Sequence, residues 1–121
     1  MFVTSSGSPY ARFQRALATG NLVLVRAAAA ELPRIGVAEA AAMLLVILRA
    51  EPDQYERAAV RWLGRLALER TDVDLDGLSQ AAAALEALPV SPESARPMLA
   101  EVCRRAGQAQ AAAVFTRVRQ V

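Results

Sequence analysis

The sequence predicts an all-α domain in which about seven helices stack as antiparallel hairpins around a buried central helix, a helical-repeat-like bundle. Three observations carry this expectation. First, residues 38–49 read AEAAAMLLVILR, with no polar side chain between Glu39 and Arg49. A helix that is apolar all round is covered by protein or lies in a membrane. The run is about half of the roughly 20 residues that span a bilayer, so other helices of the chain are expected to cover it. Second, apolar residues recur at helical spacing along most of the chain, and no credible strand is found. Third, 55% of the 121 residues are hydrophobic, but only six are Phe, Trp or Tyr. The core must therefore be built from Ala, Leu and Val, whose small side chains let helices approach at the short end of the roughly 8–10 Å range.

The elements follow in order. Residues 1–7 form a short polar tail, expected to be mobile, and residues 8–121 form one domain. Ser8-Pro9 is a helix start, with Ser as cap and Pro at the first helical position. Tyr10, Phe13 and Leu17 then lie at i, i+3 and i+7, with Ala16 beside them. Gly20-Asn21 breaks that helix, and Asn21 caps a second one running to Leu32, before Pro33. The LVLV of residues 22–25 would suit a strand on propensity alone; the AAAA after it favours helix. Ile35-Gly36 turns into the central helix, where Glu39 and Arg49 suit its dipole.

Pro52 stops the central helix. Asp53-Gln54-Tyr55-Glu56 fits a capping box and opens a helix to about residue 70. Tyr55, Ala59, Trp62 and Leu66 form its apolar stripe, with Leu63 alongside. After an acidic turn over residues 71–76, Leu75, Leu78, Ala82 and Leu85 mark a fifth helix ending at Pro89. Ser91-Pro92 repeats the Ser-Pro start, and Met98, Val102 and Ala106 give the next stripe before Gly107. Pro97 would remove a backbone bond in the second turn, so this helix is expected to kink or to begin near Arg96. Residues 108–119, with Ala111, Phe115 and Val118, form the last helix.

Short connections imply antiparallel neighbours. Leu17-x-x-Gly20 and Cys103-x-x-x-Gly107, each followed by an Ala-rich helix, resemble half of a tetratricopeptide unit. Neither keeps the full spacing, and no period near 34 residues survives. The segments SPYARFQRAL and PDQYERAAVRWLGRLALE resemble those of small all-helical proteins, without assigned activity, from high-GC Gram-positive bacteria. The clearest residues are Tyr55, Glu56, Arg57, Ala58, Arg61, Trp62 and Leu63. The resemblance covers about residues 8–105; it implies a single helical domain and supplies no activity.

Every basic residue is Arg, and the net charge of +2 is too small to argue for a polyanionic partner. The distribution says more: residues 1–30 carry +3, residues 31–100 carry −4 and residues 101–121 carry +3. If Arg12, Arg15, Arg104, Arg105, Arg117 and Arg119 meet on one face, they form a patch able to bind a polyanion nonspecifically. Residues 13–27 fail as a helix-turn-helix, because a recognition helix beginning LVLV belongs in a core.

Arg57, Arg61 and Arg65 lie on one stripe and are the preferred partner-binding residues. Asp53 and Glu69 stand four residues from Arg57 and Arg65, so local pairing and a solvated face make the plainer alternative. Asp72, Asp74 and Asp76 with Gly77 reproduce the opening of a calcium loop. Its twelfth position, however, is Ala83 rather than a bidentate Glu, so an acidic turn that caps a helix is favoured and no metal or cofactor is expected.

No His is present to serve as a base, and Cys103, the only cysteine, reads as a small core residue. No catalytic residue is assigned and no enzyme is expected. Nothing in MFVTSSGS resembles a signal peptide, and a cytoplasmic location is the default. The sequence therefore predicts a non-catalytic protein–protein interaction or adaptor module, with a protein partner or a second copy of the chain. The alternative is a nucleic-acid-associated accessory protein binding through its terminal arginines.

Overall fold

The computed structural model describes residues 8–69 and 72–117. Among them the chain forms seven α-helices and no strand: α1 Pro9–Thr19, α2 Leu22–Ala29, α3 Val37–Ala50, α4 Tyr55–Leu68, α5 Leu75–Ala87, α6 Pro92–Arg105 and α7 Ala109–Thr116. The all-α class follows from the helical spacing. Helices adjacent in sequence pack on each other, and α7 returns to lie on α3. The predicted tail, Arg70, Thr71, Val118 and Arg119 lie outside the described residues.

The caps of the first half form largely as the residues dictate. Ser8 Oγ accepts from the Ala11 N–H at 3.2 Å, and Gly20 ends α1 with φ 69°, a conformation open to glycine at little cost. Asn21 Oδ1 accepts from the amides of Val23 and Leu24 at 3.0 and 3.3 Å. At the start of α3, Glu39 Oε1 reaches back to the Gly36 N–H at 2.9 Å.

Four expectations need correction. Asp53 does not cap α4: Pro52–Gln54 forms a 3-10 turn, and no side chain bonds the first amides of α4. Pro52 fixes the backbone there before Asp53 can serve as a cap. On α5 the buried stripe is Gly77, Ala81, Ala84 and Leu88 with Leu85, whereas Leu75 is 82% exposed and Ala82 is also exposed. The smallest residues face α6, which lets the two helices close tightly. On α6 the stripe is Ala95, Leu99, Val102, Cys103 and Ala106, and Met98 is exposed. Finally, α6 does not begin at Arg96. It runs from Pro92 through Pro97; Pro97 removes only the backbone bond that Glu93, an exposed residue, would have accepted.

Trp62 organises the core. Its indole is 2% exposed, stands edge-on to Phe115 of α7 at 5.4 Å and 79°, and donates from Nε1 to the Val37 carbonyl at 3.1 Å. One side chain of α4 thus joins the start of α3 to α7. Tyr55, on the same buried stripe, donates its hydroxyl to the Leu85 carbonyl at 2.6 Å and ties α4 to α5. Replacing Trp62 by Ala should lower the unfolding free energy by about 3–5 kcal/mol, measured by urea denaturation.

Burial also pushes the Tyr55 hydroxyl up to about 12 and the Cys103 thiol up to about 11, the latter against an opposing pull from Arg104. Both folded values lie above the ordinary ones of 10.0 and 9.0, so the fold favours the protonated forms. Their contribution is complete below the unfolded values and is lost as pH rises through the folded ones. Stability should therefore decline between about pH 9 and 12, and the double variant Tyr55→Phe/Cys103→Ala should show a shallower decline in urea titrations across that range.

Candidate functional site

The central helix is not equally covered on all sides. Val37, Ala41, Leu44 and Ile47 are buried, whereas Ala38, Ala42, Leu45 and Leu48 are only half-buried, and Arg49 is exposed. At 3.6 residues per turn the second set forms its own stripe along α3. That stripe is the floor of a groove of about 570 Å³ running over Ala42, Leu45 and Leu48, with a smaller extension of about 210 Å³ toward Ala38. Leu17 of α1 and Val114 of α7 stand on its sides, and Leu88, Pro89 and Pro92 of the α5–α6 turn close one end. The expected enclosure of residues 38–49 is therefore incomplete along this stripe.

Three arginines rim the main groove, Arg49, Arg96 and Arg117, and no acid lines it. They do different things. Arg96 donates from Nε to the Phe115 carbonyl at 2.9 Å, and from one terminal nitrogen to the carbonyls of Val114 at 3.2 Å and Arg117 at 2.9 Å. It caps the C-terminal end of α7, where carbonyls lack intrahelical donors. Burial lowers its pKa from the ordinary guanidinium value. The side chains of Arg49 and Arg117 make no hydrogen bond or ion pair among the described residues. The positive rim available to a ligand is thus Arg49 and Arg117, with Arg96 holding the wall between them.

The residues singled out in the sequence are placed elsewhere or differently. Arg57 and Arg61 lie exposed on α4, but the Arg57–Asp53 and Arg65–Glu69 pairs do not form. Arg65 donates to the Ile35 carbonyl at 2.6 Å, while Glu69 approaches Arg34 at 3.7 Å. Arg65 therefore secures the turn before α3. Among the terminal arginines, Arg12 pairs with Glu31 at 2.7 Å, and Arg104 and Arg105 share Glu101 at 3.2 and 3.7 Å. Arg105 also donates to Gln80 at 2.7 Å. Arg15 is exposed on α1, and Arg104 and Arg117 border one shallow hollow beside Arg96. Among the described residues Arg104 and Arg117 are thus brought together, while Arg12 and Arg15 lie on α1; Arg119 lies outside the described residues. Asp74 caps α5 by accepting from the Gly77 N–H at 2.8 Å, and no group of three metal-ligating residues occurs among the described residues. Cys103 is fully buried. No helix of the described residues is long and apolar enough to cross a membrane.

Sequence reasoning missed the groove. Arg49 was legible only as a helix-end charge and Arg117 only as one of the terminal arginines of a polyanion patch, because the groove arises where α1, α3 and α7 meet. Compared with protein families, curated proteins and solved structures, the chain matches none.

Substituting Met for Arg96 would keep its apolar stem and remove three charge-assisted bonds to α7. The substitution should cost about 1.5–3 kcal/mol and loosen α7 first, seen as faster amide exchange at residues 111–116 than in α4.

Proposed function

We propose that the chain is a non-catalytic docking module whose groove over α3 receives an amphipathic helical segment of a protein partner, apolar on one face and flanked by carboxylates. The observation that carries this reading is the half-buried stripe Ala42, Leu45 and Leu48 beneath a rim of one charge sign in the main groove. An apolar groove that accepts the apolar face of a helix is a recurring mode of peptide recognition. Unpaired guanidiniums at its edge suit carboxylates, which they can engage through two parallel hydrogen bonds.

The non-catalytic part is supported by what the buried ionisable groups do. Tyr55 holds a backbone carbonyl with its hydroxyl, and the Cys103 thiol is kept protonated by its apolar surroundings, the reverse of what a nucleophile needs. The nucleic-acid reading draws less support, because Arg12, Arg104 and Arg105 already face acids of this chain.

The test uses two fluorescent helical peptides of equal apolar face, one carrying Glu and the other Lys at the flanks. The acidic peptide should bind and the basic one should not, by anisotropy at low micromolar protein. In the Arg49→Glu/Arg117→Glu variant the preference should reverse, while circular dichroism stays unchanged since both side chains are exposed. Equal binding of the two peptides, or none of either, would remove the proposal. Loss of binding above about 0.5 M salt together with tight binding of random duplex DNA would favour the polyanion reading instead.

A further inference from the structure

The outward face of α5 has the chemistry that this groove would take. Its buried residues are Gly77, Ala81, Ala84 and Leu85, so the opposite face carries Leu75, Asp76, Ser79, Ala82, Ala83 and Glu86, all exposed. Leu75 is 82% exposed. Residues 71–95 contain five acids and no basic residue. Neither Asp76 nor Glu86 makes a hydrogen bond or ion pair among the described residues. Arg105, near the flank of α5, is occupied by Glu101 and Gln80. An apolar stretch of small side chains between carboxylates is therefore presented outward, without any positive charge of its own.

Dimensions agree as well as charge. At 1.5 Å per residue, the 13 residues of α5 span about 20 Å and the 14 of α3 about 21 Å. Ala82 and Ala83 put only methyl groups at the centre of the α5 face, so its backbone can approach the groove floor closely. Asp76 and Glu86, ten residues apart, stand about 15 Å apart along α5, and Arg49 and Arg117 are the guanidiniums available to them at the groove.

We infer that the partner of the groove is a second copy of this chain, with α5 of one copy lying over α3 of the other. The inference rests on the docking reading above and names its occupant. The acidic face and the basic groove meet at Pro89 of the α5–α6 turn, which lines the groove and also borders, with Ala82 and Glu86, a hollow on the outer flank of α5. Opposite charges side by side on one surface are self-complementary. A two-fold axis near that turn brings each α5 onto the other copy's groove and closes the assembly as a dimer.

Charge exchange tests this with exposed residues alone. Sedimentation velocity at about 100 μM compares the native chain, a groove variant Arg49→Glu/Arg117→Glu and a helix variant Asp76→Arg/Glu86→Arg. The native chain should sediment as a dimer and each variant alone as a monomer. An equimolar mixture of the two variants should regain the dimer, because each then offers the other opposite charges at both contacts. Circular dichroism confirms that each variant is folded. A monomeric native chain, a dimer that persists in both variants, or a mixture that stays monomeric overturns the inference. A monomeric native chain that still prefers the acidic peptide would leave the groove as a docking site and eliminate only the second copy.

Discussion

A helix without a polar stripe has to be covered on every side, and this chain has few large side chains to cover it with. Where Trp62 and Phe115 are committed, the cover is good. Trp62 reaches from α4 to the first turn of α3, satisfies its own indole N–H on the Val37 carbonyl and gives Phe115 of α7 an edge to pack against. A buried indole costs free energy unless its N–H is bonded, so the position of Val37 is tied to that of Trp62. The rest of the core is largely Ala, Val and Leu, which fill the spaces between closely spaced helices. Cover gives out on the stripe between α1 and α7. There α1 is engaged mainly with α2, and α7 ends at Thr116, where Arg96 collects its last carbonyls.

The helices were legible because their boundary signals are local. Ser8-Pro9, Gly20-Asn21 and Pro52 act within one turn of themselves, and each marks a boundary in the structure. The apolar stripe of α4 was legible for a related reason: Tyr55, Ala59, Trp62 and Leu66 are large or clearly apolar on an otherwise charged helix. The stripe of α5 was not. On a helix with five alanines among its thirteen residues, the larger Leu75 and Leu78 suggest a buried face, yet tight packing on α6 selects Gly77, Ala81 and Ala84 instead. When small residues do the packing, size no longer marks the buried side.

Charges were the least legible part, and the reason is competition. Spacing along one helix finds acids four residues from Arg57 and Arg65, and such pairs contribute only about 0.2–0.5 kcal/mol. A backbone carbonyl left without a donor at a turn or helix end is a stronger claimant. Arg65 goes to the Ile35 carbonyl and Arg96 to the last carbonyls of α7. Both arginines thus serve the ends of other elements. No reading along the chain reveals which carbonyls lack donors, because that depends on where the other helices stop.

The same competition identifies the charges left over for a ligand. In a chain with fourteen arginines and twelve acids, the number of arginines says little about binding; their remaining bonding capacity says more. Arg49 and Arg117 stand beside a stripe of α3 that its own fold leaves half covered, and neither side chain has a partner among the described residues. In the docking reading the two features divide the work. The apolar floor supplies most of the affinity, while the rim sets the approach and rejects segments of like charge, as interface charges commonly do. Neither feature alone would discriminate: an apolar stripe accepts any greasy helix, and two exposed arginines accept any anion. Selectivity arises because a bound segment must present carboxylates at the same spacing at which it buries its apolar face, and a helix surface is what fixes that spacing.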